Sequence, residues 1–400
     1  MAVRTISPDV YSIGAIDWNL RLFDALIGTP EGTSYNAFVV KGTEKTALID
    51  TVDPAFEESL LKNLMRIGIS SLDYIVINHA EQDHAGSLPL LLDMFPGAKV
   101  VADEKCRDLL GRLLDVPEDR VTVVKDGDTI DLGGKTLEFI IAPWVHWPET
   151  MMTYLKEDGI LFSCDLFGSH LATSELFVRD FTKVERMAKR YFAEIMMPFR
   201  SSVLAAMQKV AEREVRIIAP SHGPFYDDPS LILDVYAEWT SDTVKNLVLL
   251  PYVSMHGSTA KMVSFLTDAL IERGIEVQPY DLSKSDLGDI AMTTLDAATI
   301  VIATPTVLFG PHPVALNAAY ILSALKPKTK FISVIGSFGW GGKTVQTLVD
   351  TLSHLSAEVI DPVYIRGYPT GEDLVALNAL ADTIVKKHEG LLTRSEEGSG

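Results

Sequence analysis

Between residues 73 and 86 the chain reads D-Y-I-V-I-N-H-A-E-Q-D-H-A-G, which puts four metal-capable side chains, His79, Glu81, Asp83 and His84, within six positions. The apolar run from Tyr74 to Ile77 has the makeup of a buried parallel strand. A loop leaving the carboxyl end of such a strand is where α/β proteins usually carry their chemistry. Three further candidates each follow an apolar run of their own: His146 in A-P-W-V-H-W-P, Asp165 after I-L-F-S-C, and His222 in I-A-P-S-H-G. Four imidazoles and three carboxylates form a nitrogen and oxygen donor set for two neighbouring ions. Alternate residues of an extended loop point opposite ways, so His79 and Glu81 are expected on one ion, Asp83 and His84 on the other. Asp165 has two oxygens and suits a bridge, while His146 and His222 would complete one ion each. Gly86 is expected to permit a tight turn into the next helix. The other histidines, His170, His256, His312, His354 and His388, sit in no such cluster and read at first as structural or surface residues.

A second stretch, Ser254-Met255-His256-Gly257-Ser258-Thr259, lies between a strand pattern and a helical one. It has the form of a flavodoxin phosphate loop. Gly257 permits a turn with positive φ, the hydroxyls of Ser254, Ser258 and Thr259 can donate to phosphate, and the helix start adds backbone N–H groups. A hydroxyl-rich helix cap looks much the same, but this one forms the first βα turn, at the switch point of a 2-1-3-4-5 sheet. The chain has no G-x-G-x-x-G dinucleotide turn, which favours FMN over FAD or NAD.

These stretches need two frames. Four hundred residues exceed one ordinary core, so two domains are expected. In the first half, strand patterns at 10–16, 36–41, 46–50, 74–77, 99–102, 121–125, 136–142 and 160–164 mix with helical ones at 54–66, 87–94, 103–114, 183–195 and 201–213. Turns such as Asp126-Gly127-Asp128 and Gly133-Gly134 suggest largely antiparallel pairing, with helices only on the outer sides: an αββα sandwich. After a helix around 229–246 the rhythm becomes strict. Strands at 247–253, 275–281, 298–303, 330–335 and 358–363 alternate with helices at 259–272, 285–292, 313–324, 342–354 and 372–388, which reads as a doubly wound parallel sheet of flavodoxin size. The expected domains are 1–246 and 247–400. The polar tail Arg394 to Gly400 is expected to be disordered.

Composition narrows the function classes. Apolar content of 47% and charged content of 22% are those of a packed globule. No window approaches a membrane span, and the first residues show no signal-peptide pattern, so neither membrane insertion nor export is expected. Acidic residues outnumber basic ones 54 to 35, for a net charge of −19. Without a basic run, nucleic acid is not an expected partner. The two cysteines, Cys106 and Cys164, form no C-x-x-C, which argues against a disulfide framework or a thiolate iron–sulfur centre and points to the cytoplasm.

H-x-[EH]-x-D-H followed by His, Asp and His resembles the metallo-β-lactamase-fold signature. Hydrolytic members usually carry a second His at the third position and bind zinc. This chain has Glu81 there, the variant of the flavodiiron proteins, also called A-type flavoproteins. The resemblance extends to H-W-P at 146–148, G-S-H-L-A-T-S at 168–174, M-P-F at 197–199, P-S-H-G at 220–223 and the flavodoxin-like half. It implies a metallo-β-lactamase-like diiron domain followed by an FMN-binding domain. An anionic carboxylate in place of a neutral imidazole hardens the site and favours the more charged state of a redox ion, which suits iron. In some members the residue matching His84 is not bonded to iron and water takes its place. The context of His170 implies a position beside the open diiron face.

The resemblance also implies isoalloxazine contacts from Thr304, Pro305, Thr306, Val307, Leu308 and Phe309, although the family usually has Asn at the places of Leu308 and Phe309. Gly336, Ser337, Phe338, Gly339, Trp340 and Gly341, with Gly342 after them, match the family well, and Trp340 offers an aromatic face. The implied activity is reduction of O2 to water, or of NO to N2O, at two irons refilled by reduced FMN. A head-to-tail homodimer, or a dimer of such dimers, is implied. The chain has no rubredoxin-like cysteines, so electrons would come from rubredoxin, a flavin reductase or reduced coenzyme F420. The competing readings are a dizinc hydrolase of the same fold with a flavodoxin-like appendage, and a pure electron carrier whose metal half is a scaffold.

Overall fold

The structure, a computed structural model, describes residues 3–397. The chain forms two compact units, Met1–Phe192 with Phe199–Thr240, and Ala193–Pro198 with Ser241–Gly400. The strand Lys245–Tyr252 already belongs to the second unit, so that unit begins a few residues before the expected 246/247 boundary, and the expected helix at 229–246 is shorter, Ser230–Thr240.

In the first unit a seven-stranded sheet runs, in spatial order, Arg4–Ser7, Val10–Ser12, Phe38–Lys41, Thr46–Ile49, Tyr74–Val76, Lys99–Ala102, Val121–Val123. Its first strands pair antiparallel, and from Thr46–Ile49 onward every pair is parallel. A five-stranded sheet, Thr129–Asp131, Thr136–Ile141, Met151–Leu155, Ile160–Cys164 and Ile217–Pro220, is antiparallel until its last pair. Across these two sheets six pairs are antiparallel and four parallel, so most of the pairing is antiparallel, as expected, with parallel pairs from Thr46–Ile49 onward and at Ile217–Pro220. Parallel neighbours need long crossovers, and the helices Glu57–Arg66, Leu88–Met94 and Glu104–Leu114 supply them.

Both faces of the central strands are buried, which is why Tyr74 to Ile77 reads as an unbroken apolar run. Between the sheets, Phe38, Val76, Phe139, Phe162 and Phe225 form one core. On the helix side of the larger sheet, Leu48, Ile75, Val100, Leu60 and Leu110 form another. This is the αββα layering. Each such side chain contributes about 1.5–3 kcal/mol on burial, enough to hold residues that the backbone disfavours. Asp50 and Cys164 take left-handed φ of 52° and 54° where their strands end beside the site, each at a cost of about 1–3 kcal/mol.

The second unit is a parallel sheet in the order 2-1-3-4-5 along the chain: Lys245–Tyr252, Glu276–Asp281, Ala297–Ala303, Phe331–Phe338, and a fifth strand in two pieces, Glu358–Val359 and Val363–Arg366. Pro362, which has no N–H to give, falls between the pieces and accounts for the break. Helices Ser258–Ile271, Leu287–Asp296, Pro313–Leu325, Thr344–Thr351 and Gly371–Glu397 complete it. The last helix takes in the first four residues of the tail expected to be disordered, and residues 398–400 lie outside the described residues. Among the described residues no helix is long and apolar enough to cross a membrane.

Candidate functional site

The central strand Tyr74–Val76 aims its carboxyl end at the site, and Asn78 fixes the exit. Its N–H and Nδ2 donate to the two oxygens of Asp50 at 2.7 and 2.8 Å, and its Oδ1 accepts from Thr153 Oγ1 at 2.8 Å. His79 follows, with Nδ1 2.7 Å from Glu149 Oε1, which turns Nε2 toward Glu81 Oε2 at 2.9 Å. The loop stays extended only to Glu81 (ψ 147°); Gln82–Ala85 is a single helical turn. Asp83 and His84 therefore project from a helix, not from alternate positions of an extended loop. Thr51 holds that turn, donating from N and Oγ1 to the His84 carbonyl at 2.7 Å each. Gly86 has φ −60°, so no left-handed turn demands it. It is glycine because a Cβ would run into the Gln82 carbonyl and the Pro54 ring.

All seven predicted donors come together, in two groups. His79, Glu81 and His146 make one and Asp83, His84 and His222 the other, with the ligand atoms of each within 4.8 Å of one another. Asp165 lies between the groups. Its Oδ2 is 3.7 Å from His79 Nε2 and 3.6 Å from His146 Nε2, and its Oδ1 is 3.2 Å from His84 Nε2 and 3.3 Å from His222 Nε2. One carboxylate thus faces both groups, the geometry of a bridge. Both oxygens of Asp83 are buried and make no well-formed hydrogen bond, with only His222 Nε2 at 3.3 Å and His84 Nε2 at 3.6 Å facing them, a costly arrangement that a cation would relieve. The donor set and these orphaned oxygens fit a pair of divalent ions.

The charges point the same way. Burial drives His79 toward its neutral form, but the carboxylates of Glu149, Glu81 and Asp165 overturn this and hold its pKa at about 9. For His84, burial is outweighed by Asp165 and Asp83, giving about 10. For His222, the carboxylates of Asp165 and Asp83, each 3.3 Å from its Nε2, outweigh it, again giving about 10. Burial would raise the carboxylates too, yet the imidazoles keep Glu81, Asp83 and Asp165 below their ordinary values. Without a metal, the cluster balances its charge with protons that an incoming ion must displace.

His170 is buried against the second group, its ring 5.0 Å from that of His222 and 4.9 Å from that of Tyr191. Its Nδ1 meets Thr33 Oγ1 at 2.9 Å and its Nε2 has no partner. Burial lowers its pKa to about 3, so it is neutral. Several residues of the site escaped the sequence reading. Tyr191 donates to Asp165 Oδ1 at 2.8 Å. The Ser34 carbonyl accepts from His222 Nδ1 at 2.7 Å. Asp24, raised to about 6 by burial and by Glu81, faces the first group from the tip of the hairpin Leu22–Phe23/Ile27–Gly28. Glu149, the partner of His79, escaped it too, although it stands as a carboxylate directly after H-W-P.

In the second unit a cavity of 290 Å³ opens at the carboxyl end of the sheet. Ser254, Met255, His256, Ser258 and Thr259 line it on one side, Pro305 and Thr306 on another, and Ser337, Phe338, Gly339 and Trp340 on a third, with Gly367 added. Gly257 has φ 88° at the start of helix Ser258–Ile271 and, lacking a side chain, does not itself cap it. The Thr259 hydroxyl is buried without a partner, as befits a group that awaits an anion. The Ser254 Oγ accepts from Ala260 N–H at 3.1 Å, which leaves its own O–H to donate into the cavity.

Thr304, Val307, Leu308, Phe309, Gly336 and Gly341 do not line the cavity. Leu308 and Phe309 form the tip of the hairpin Thr306–Val307/Gly310–Pro311, 87% and 68% exposed, with φ of 50° and 66°. Asn tolerates such angles better than Leu or Phe. Trp340, 69% exposed, is no core residue.

Comparison with known proteins adds to this geometry. Residues 33–223 match the family model described as ODP family beta lactamase. A nitric oxide reductase of Moorella thermoacetica is 36% identical over 378 residues, spanning 92% of this chain and 94% of that protein. A coenzyme F420H2 oxidase of Methanothermobacter marburgensis is 35% identical, over 94% and 96% of the two chains. Among solved structures, the rubredoxin oxygen:oxidoreductase of Desulfovibrio gigas matches with a TM-score of 0.94 at 30% identity, covering 98% of this chain and 99% of that one. A structure from Giardia intestinalis matches at 0.90 and 28%, covering 98% of each chain.

Proposed function

The chain belongs to the flavodiiron proteins, and from that premise we propose that it reduces O2 to water, NO to N2O and water, or both, at two non-haem irons fed by FMN. The observation that carries this reading is Asp165, one oxygen toward His79 and His146 and the other toward His84 and His222. Iron bound there supplies electrons and open coordination positions for a diatomic gas, and bound FMN supplies the electrons that replace them.

The chain's own residues do the rest. His79, Glu81 and His146 would hold one iron, Asp83, His84 and His222 the other. Glu149 and the Ser34 carbonyl fix His79 and His222 by their far nitrogens, which keeps the ring angles constant through a redox change. Tyr191 holds one oxygen of Asp165. His170 and Phe23 cover the second group and keep water from that side. His146 carries the most exposed side chain of the set, 18%, so the gas enters past it. In the second unit, Ser258, Thr259 and the helix start would take the FMN phosphate, while Trp340 and the loop from Thr304 take the ring.

The same reading includes a cytoplasmic setting, in keeping with two buried free thiols, and a head-to-tail homodimer that brings FMN of one copy to iron of another. An external donor is included as well. The relatives' names point to rubredoxin or reduced coenzyme F420.

Metal and flavin analysis of the purified protein, with gas consumption on the same sample, tests the proposal. Two irons and one FMN per chain, with O2 or NO consumed and N2O formed from NO, is the expected result. Two zincs without flavin, with hydrolysis of a thioester, would establish the dizinc hydrolase instead.

A further inference from the structure

We infer that Tyr364, on the last strand of the second unit, is a positioning residue for the flavin ring: it fastens two of the loops that line the cavity and so sets both the grip on the ring and its reduction potential. The inference rests on the FMN reading above. Tyr364 belongs to no motif and does not itself line the cavity. Its hydroxyl lies 2.7 Å from Thr306 Oγ1 and donates to the Thr304 carbonyl at 3.3 Å. Thr306 Oγ1 in turn lies 2.7 Å from Thr344 Oγ1, at the start of helix Thr344–Thr351. The ring stacks on Phe338, with centroids 5.8 Å apart and planes within 7°. Gly336 leaves room for that ring, because a Cβ there would meet both the Tyr364 ring and the Thr304 carbonyl.

The loop from Thr304 needs such a fastening. It is a hairpin with two paired positions, Thr306 with Pro311 and Val307 with Gly310, and so short a ladder is barely stable alone. Its tip holds two bulky residues in left-handed backbone, which opposes the fold. Besides the Thr306–Thr344 bond, its tethers include the Lys343 N–H to the Phe309 carbonyl at 3.0 Å and the His312 N–H to Thr304 Oγ1 at 3.2 Å. Tyr364 works from below on Thr306 and Phe338, both cavity-lining residues. A Phe would serve for the stacking, so the hydroxyl carries the specific part of the role.

The test uses the full chain, titrated with FMN and with riboflavin, and the midpoint potential of the bound flavin. Y364F keeps the ring but loses both bonds of its hydroxyl. It should weaken FMN and riboflavin by the same factor, about fivefold, and shift the flavin potential. S258A, at the phosphate end, should weaken FMN and leave riboflavin unchanged. T306A removes the shared bond from its other end together with the bond to Thr344, so it should weaken both flavins in the same direction as Y364F, and the double variant should lose less than the two single losses combined. Should Y364F fail to fold, T306A carries the test. Wild-type affinity and potential in Y364F and T306A, or weakening confined to FMN, overturns the inference while FMN binding stands. A wild-type chain that binds neither flavin overturns the FMN reading and this assignment with it.

Discussion

The far nitrogens of three of the four candidate ligand histidines show how firmly their rings are held. His79 rests on a carboxylate and His222 on a carbonyl, each at 2.7 Å, whereas His84 Nδ1 has the Cys164 thiol at 3.8 Å, with the Asp50 carboxylate within 4.8 Å of the pair. A thiol is a weak acceptor, and an imidazole without a firm second partner makes a poorer ligand, by about 10–100-fold in metal affinity. H84A should therefore retain clearly more iron than H222A when both are dialysed against the same chelator; equal loss would contradict this. The donors themselves were legible because residue type and local spacing mark them. Their supports were not, since Glu149 reaches His79 across 70 positions and Tyr191 reaches Asp165 across 26. Hydrogen bonds at that separation leave no pattern in one sequence.

At the scale of elements, the strand before the donors was readable because an unbroken apolar run signals burial on both faces. The turn after it was not. Residues 82–85 are too few to show a helical period, so Asp83 and His84 read as extended loop. Gly86 was noted for the wrong reason, since contact with Pro54 and not backbone angle excludes a side chain. G86A should then cost about 1–3 kcal/mol, the usual penalty of overpacking, seen as a lower urea midpoint of the first unit. An unchanged midpoint would show that the helix and Pro54 can move apart. The antiparallel pairs were legible because hairpin turns are local signals, and the parallel ones from Thr46–Ile49 onward were not, because crossovers spread over dozens of residues decide them.

For the whole molecule, the two-part organisation showed in the change of rhythm, and the 2-1-3-4-5 order followed from strict βα alternation. A buried histidine makes the second unit sensitive to pH. His388 lies between Thr299 Oγ1 and Asn246 Oδ1, 2.7 Å from each, and burial depresses its pKa to about 4. Above pH 6.5, near its unfolded value, both states are neutral and pH has no effect through this group. As pH falls from there toward 4, only the unfolded chain takes up the proton, so stability is lost across that window. Unfolding followed by flavin release should show wild type losing more stability than H388Q between pH 7 and 4.5. Parallel curves would remove His388 from the account.

The central claim is that the second unit's flavin refills a redox-active metal pair in the first. Anaerobic mixing of the flavin-reduced full chain with O2 and, in parallel, with NO tests it, comparing iron-loaded wild type with the D165N variant, which lacks the carboxylate that faces both groups. The account predicts that at least one gas reoxidises the flavin far faster in the iron-loaded protein, and that D165N loses this advantage while still binding FMN. Flavin reoxidation at the same rate in both proteins, with either gas, would contradict it.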